Sequence, residues 1–278
     1  MPQFGLYCVA DGMSGVWGGE VASNTAIDTV RTAFEAEPAT AEAMRLDERT
    51  RFAELAINSA SRLIKQKADE LHFPGMGTTI VAILFDMVHP SKAMCLHAGD
   101  SRAYRFRDGA LSLLTRDHTV ATAAGIEDES KLPSIFRGVV TRAVGVEDSV
   151  QIDRTPVDVL PNDIFLLCSD GLNKMIPDAR IGQICGELKS APLDTLVHAL
   201  ILAALDAGGE DNVTATTIRV AESLPNEPVF DLPVEPATGN SLLPARGTAE
   251  NTVPPTPATT TPAALDTGDL IGNNPPRF

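Results

Sequence analysis

Ile164-Phe165-Leu166-Leu167-Cys168-Ser169-Asp170-Gly171 is an apolar run of strand length that ends on an aspartate set between two small residues. The same figure occurs twice more. Leu6-Tyr7-Cys8-Val9-Ala10 leads into Asp11-Gly12, and Ala93-Met94-Cys95-Leu96-His97-Ala98-Gly99 leads into Asp100-Ser101. A fourth acidic site, Glu210-Asp211-Asn212, opens the run Val213 to Val220. A carboxylate held at the tip of a buried strand loses hydration, which is unfavourable unless a cation or several donors compensate it. A single Asp-Gly is more often a turn former. Four such sites spread along one chain predict carboxylates converging on hard divalent cations, which prefer oxygen ligands.

Around these runs, residues 1 to 220 alternate between helical and strand patterns. Val21, Ala22, Thr25, Ala26, Val30, Ala33 and Phe34 repeat at a helical period within Glu20 to Phe34, and Phe52, Leu55, Ala56, Ser59, Leu63 and Leu71 outline a longer helix. Thr78 to Phe85, Ala93 to Ala98, Ala103 to Phe106, Ala110 to Leu114, Gln151 to Val159, Ile164 to Cys168 and Val213 to Val220 read as strands, with a hairpin turn at Asp108-Gly109. Two helices, near Asp178 to Leu188 and Leu193 to Ala207, separate the last two strands. Hairpins in succession with helices grouped in pairs predict α+β layers rather than a doubly wound parallel sheet. From 221 to 278 the composition changes. That segment holds eleven of the twenty prolines and no surviving period, and is expected to be a disordered Pro/Thr-rich tail.

The bulk properties narrow the function. A net charge of -15 argues against a nucleic-acid partner, because phosphate backbones need a basic face. No apolar stretch is long enough to span a bilayer, and Met-Pro-Gln-Phe-Gly lacks the form of a signal peptide, so a cytoplasmic monomer without membrane contact is expected. Cys8, Cys95, Cys168 and Cys185 form no Cys-x-x-Cys pair and read as reduced core residues. Nor do they build a phosphate cradle of a Cys, five residues and an Arg: Cys95 reaches Arg102 only across six, and Cys168 has no arginine nearby.

Six segments in order now carry a resemblance. They are Val9-Ala10-Asp11-Gly12-Met13-Ser14-Gly15-Val16-Trp17-Gly18-Gly19-Glu20; Met76-Gly77-Thr78-Thr79; Gly99-Asp100-Ser101-Arg102-Ala103-Tyr104; Leu114-Thr115-Arg116-Asp117-His118; Thr141-Arg142-Ala143-Val144-Gly145; and Cys168-Ser169-Asp170-Gly171-Leu172, followed by Gly208-Gly209-Glu210-Asp211-Asn212. Together they resemble the metal-dependent protein phosphatases of the 2C type, in particular the bacterial branch. The resemblance implies a four-layer α-β-β-α sandwich with two central antiparallel sheets and a metal site at one end. It implies that Asp11 bridges two Mg²⁺ or Mn²⁺ ions, that the Gly12 carbonyl binds one of them, and that Asp170 and Asp211 complete the shell of the other. Asp100, with Asp170, would hold a weaker third ion, and Asn212 would orient Asp211. The implied reaction is hydrolysis of phosphoserine or phosphothreonine in proteins by a metal-activated water, opposing a Ser/Thr kinase. His97 is expected in the core and His118 in a loop bonded to backbone. Trp17 lies beside the site, and Val120 to Arg137 corresponds to a flap over the substrate.

The chain departs from the pattern at its start. The family carries a phosphate-binding arginine and an acidic metal ligand upstream of the Asp-Gly strand. Here no arginine precedes Arg31 and no acidic residue precedes Asp11. Ser14 and Val16 also stand where bacterial relatives usually carry Gly and His. Two expectations follow: an upstream strand-turn unit missing from this sequence, leaving residues 1 to 220 as a truncated catalytic domain, or a pseudophosphatase acting as a non-catalytic regulatory module. A haloacid-dehalogenase-type hydrolase is excluded because Cys168 stands where that chemistry needs an aspartate.

Overall fold

Side chains on a strand alternate between its two faces, and here that alternation assigns each residue to a layer. In the computed structural model, which describes residues 1–13, 18–36, 44–126 and 128–221, Ile80, Ala82 and Leu84 of one strand face a pair of helices. Val81 and Ile83, between them, face the opposite sheet. The strand Ile164–Cys168 does the same: Ile164, Leu166 and Cys168 turn to a second helix pair, while Phe165 and Leu167 enter the space between the sheets.

Among the described residues, eight strands make two antiparallel sheets of four. In chain order they are β1 (Leu6–Val9), β2 (Ile80–Phe85), β3 (Lys92–Ala98), β4 (Arg102–Arg107), β5 (Ala110–Leu113), β6 (Asp153–Asp158), β7 (Ile164–Cys168) and β8 (Ala215–Arg219). One sheet has the order β1-β2-β3-β6 and the other β5-β4-β7-β8. Val9 pairs with Val81, and Ile80 with Ala98, so the ends of β1 and β3 that precede Asp11 and Asp100 lie on either side of the start of β2. On the second sheet, Cys168 pairs with both Arg102 and Ala215. The antiparallel turn at Asp108-Gly109 joins β4 to β5 as expected.

Helices α1 (Gly19–Ala36) and α2 (Leu46–Leu71) cover the first sheet. Helices α5 (Asp178–Glu187) and α6 (Leu193–Asp206) cover the second, and two single-turn helices, α3 (Val120–Ala123) and α4 (Asp170–Asn173), lie in connections. This is the expected four-layer α-β-β-α sandwich. Arg49, buried on α2, donates to the Phe85 and Phe4 carbonyls and so fastens the helix to the start of the chain and the end of β2.

The longer helix outlined in the sequence is present as α2, and its buried face is built of small residues. Leu55, Leu63 and Leu71 are exposed, at 67%, 38% and 46%. The buried stripe is Ala53, Ala56, Ile57, Ala60, Ile64 and Ala68. Small residues let this helix approach the sheet and α1 closely, and close packing rather than apolar bulk selects the buried face. The expected tail lies outside the described residues apart from Ala221, as do Ser14, Val16 and Trp17. Among the described residues, no helix is long and apolar enough to cross a membrane.

Candidate metal centre

The four aspartates singled out above come from both sheets and meet at one end of the sandwich. Asp11 follows β1, Asp100 follows β3, Asp170 opens α4 directly after β7, and Asp211 precedes β8. Burial, followed by the charges of Asp170, Asp211 and Asp100, pushes the Asp11 carboxyl up to about 7. Asp100 is pushed up to about 6, again by burial and then by Asp170, against the opposing pull of Lys174. These shifts record like charges held close together in a partly dry site.

The small residues beside the aspartates permit that approach. A Cβ on Gly12 would lie 2.1 Å from the Gly19 carbonyl oxygen, and one on Gly171 would lie 2.3 Å from that of Asn212. Neither position accepts a side chain. The backbone of the Asp211-Asn212 turn therefore rests directly on the start of α4. Asp211 is oriented by the Asn212 backbone N–H, which donates to its Oδ1 at 2.8 Å. The Asn212 side chain, given an orienting role above, is on an exposed residue, and its backbone makes the contacts.

The segment Met76-Gly77-Thr78-Thr79 explains its own place among the motifs. The Thr79 N–H and the Thr78 hydroxyl both donate to the Asp11 carbonyl at 2.8 Å, and Met13 N–H donates to Gly77 O at 3.1 Å. Thr79 Oγ1 accepts from Asp11 N–H and shares a 2.6 Å hydrogen bond with Ser101 Oγ.

A cation, Lys174, touches two of these carboxylates. Lys174 Nζ hydrogen-bonds Asp170 Oδ2 and lies 3.7 Å from Asp100 Oδ2. The other Asp170 oxygen, Oδ1, is buried without a hydrogen-bond partner. An oxygen-only donor set of crowded carboxylates with a buried, unpartnered oxygen fits hard divalent cations such as Mg²⁺ or Mn²⁺.

Beside the carboxylates opens a cleft of about 530 Å³, lined by Asp100, Asp170, Arg102, Arg116, Asp117, Lys174 and residues of the flap. Arg102 is committed elsewhere: its guanidinium grips Asp117 through Nε at 2.9 Å and Nη2 at 2.8 Å and donates to Tyr104 OH. Arg116 is exposed on the cleft wall. Residues of α3 and the turn after it also line the cleft, and two short 3₁₀ turns, Glu129–Lys131 and Ser134–Phe136, follow in the chain, with Ile135 74% exposed.

A second polar cluster, absent from the sequence reading as a unit, joins His97, His118, Asp153 and Arg142. The Gly99 N–H donates to His118 Nδ1 at 3.2 Å, which leaves the proton on Nε2 to donate to Asp153 Oδ2 at 3.1 Å. Arg142 Nη1 lies 2.6 Å from Asp153 Oδ1. His97 is buried as expected, with Nε2 2.9 Å from Arg116 O. The potential ligand atoms of His97, His118 and Asp153 lie within 4.8 Å of one another. Yet the two rings stack with centroids 4.5 Å apart and planes only 9° apart. An imidazole lone pair lies in its own ring plane, and near-parallel planes do not converge on one ion. No sequence spacing announces this cluster, because its members come from β3, two loops and the start of β6.

Comparison with known proteins adds a third line. The family profile described as Protein phosphatase 2C matches residues 3–195. The serine/threonine phosphatase stp of Listeria welshimeri is 31% identical over 218 residues, covering 77% of this chain and 84% of that protein. The solved structure of PppA from Pseudomonas aeruginosa superposes with a TM-score of 0.66 at 32% identity, covering 78% of this chain and 86% of that one. The catalytic domain of the serine/threonine protein phosphatase PstP in complex with two manganese ions superposes with a TM-score of 0.63 at 32% identity, covering 77% and 87%.

Proposed function

This chain belongs to the protein phosphatase 2C family, and from that premise we propose that it hydrolyses phosphoserine and phosphothreonine in bacterial proteins, using Mg²⁺ or Mn²⁺ and opposing a Ser/Thr kinase, as a cytoplasmic monomer. The observation that carries this reading is the crowding of Asp11, Asp100, Asp170 and Asp211, which pushes Asp11 and Asp100 up and leaves one Asp170 oxygen buried without a hydrogen-bond partner. In this reading Asp11 and the Gly12 carbonyl, together with Asp170 and Asp211, hold two cations, with Asn212 holding Asp211 in place through its backbone. Asp100 is the remaining acidic wall. Bound cations would supply an activated water and neutralise charge on the phosphoryl group. The chain's own residues fix where that happens. Thr78 and Thr79 seat the Asp11 backbone, and the flap and cleft admit an extended phosphopeptide beside it.

The alternative of a non-catalytic regulatory module finds no support in the relatives, which are named as phosphatases. The test is release of phosphate from a phosphothreonine peptide by the purified chain with Mn²⁺ or Mg²⁺, and its arrest by EDTA. Turnover that persists in EDTA, or a protein to which neither ion binds, would overturn the proposal.

A further inference from the structure

Lys174 stands four residues after Asp170, so one helical turn returns its side chain over that carboxylate. Its ammonium meets two carboxylate oxygens that both belong to deeply buried residues, Asp100 at 4% exposure and Asp170 at 8%. The lysine itself enters from the cleft wall, with its side chain 41% exposed. Asp170 is thereby divided. Oδ2 faces the ammonium, while Oδ1 has no hydrogen-bond partner and remains open to another cation.

We propose that Lys174 is a resident cation at the Asp100–Asp170 position and keeps a third divalent ion out of it, so that this chain works with two ions. The inference rests on the metal-dependent reading given above, in which Asp100 and Asp170 would otherwise share that third ion. A side chain tethered by a few bonds competes at an effective concentration on the order of millimolar or more, whatever the free metal level. An ammonium and a divalent cation repel each other at contact distance and would need the same oxygen lone pairs, so occupancy by one excludes the other. The division of Asp170 lets this happen without taking a ligand from the other two ions.

Counting bound Mn²⁺ by titration calorimetry, alongside the electron paramagnetic resonance signal of free Mn²⁺, tests this on the full chain. Lys174→Met keeps the length of the side chain and removes its charge, and is expected to bind one more equivalent of Mn²⁺ than the wild type. Lys174→Arg keeps the charge and is expected to match the wild type. Lys189→Met, an exposed lysine remote from the carboxylates, controls for net charge and is also expected to match. Equal counts for wild type and Lys174→Met would overturn the inference and leave the metal-dependent reading intact. So would an extra ion in Lys174→Arg or in Lys189→Met. If neither wild type nor Lys174→Met binds Mn²⁺, both readings fall together.

Discussion

Two clusters of charge lie near the same end of the sandwich, and they are balanced in opposite ways. In the first, four aspartates crowd together, and Lys174 meets two of them. Burial and mutual repulsion push Asp11 and Asp100 up, and one Asp170 oxygen has no partner. In the second, Asp153 has Arg142 on one oxygen and His118 on the other, and these partners hold its carboxyl below the usual range despite partial burial. The second cluster satisfies itself and is architecture, although it offers two imidazoles and a carboxylate in a small space. The first keeps its repulsion, and on the function proposed above it is where a cation would bind. Charge balance and ring orientation, rather than the presence of ligand-type residues, separate a site from a strut.

The strongest way to break this contrast is to make the same Asp→Asn change in each cluster. Asp11→Asn is expected to lower Mn²⁺-dependent phosphate release by about a thousandfold, the upper end of what one preorganised electrostatic group contributes. It should also raise the thermal midpoint of the metal-free protein, because a crowded negative charge has gone; circular dichroism melting in EDTA reads this. A lowered midpoint would mean that the cluster is not under repulsion. Gly171→Ala comes next, since its new methyl would press on the Asn212 carbonyl. A loss of roughly 1–3 kcal/mol of stability, the usual cost of overpacking, should appear in denaturant unfolding, together with weaker Mn²⁺ binding. Unchanged binding would show that the spacing between Asp170 and Asp211 is not set by this backbone contact.

Asp153→Asn should act in the opposite sense to Asp11→Asn. We expect destabilisation of roughly 1 kcal/mol, as for a partly exposed ion pair, with the number of bound Mn²⁺ ions unchanged. A lost ion would move the second cluster into the metal site. The gentlest test is pH. Asp11 and Asp100 have folded values above their ordinary ones, so the folded protein holds extra protons on them. Their stabilising contribution is complete only below the ordinary value of 3.8 and is lost as pH rises from there through about 6 to 7. His118 is lowered, chiefly by burial, and Asp153 is lowered by its partners, so their contributions are present near neutrality and are lost as pH falls. Metal-free melting between pH 6 and 8 should therefore show declining stability that Asp11→Asn reduces and Mn²⁺ removes. A decline identical in Asp11→Asn would place its cause elsewhere.

Much of this was legible before any coordinates. The run Ile164 to Cys168 is a strand over its whole length, because five apolar residues bounded by Asn162-Asp163 and Ser169-Asp170 leave little choice of period. The four aspartates converge because each ends or begins such a strand. Helix α2 was legible from its apolar period, but not its inner face, because hydrophobicity ranks leucine above alanine whereas the close approach of two helices and a sheet ranks them the other way. Helix α4 escaped notice since a single turn has no period to detect, and with it went the i, i+4 relation of Lys174 to Asp170. The link from His118 to Asp153 spans a separation of 35 residues, beyond any local spacing rule.

Thr79 has a consequence of a different kind. β1 is an edge strand with one neighbour, so pairing alone anchors its tip on one side only. Thr79 supplies what is missing by holding the Asp11 backbone at both its N–H and its carbonyl, while its hydroxyl reaches Ser101 beside Asp100. The interval between Asp11 and Asp100, ligands on the proposed reading, is thus written into an uncharged residue that is 3% exposed. The centre could lose its dimensions through a change at this position while every carboxylate stayed in the sequence, and a survey of ligands alone would report it intact.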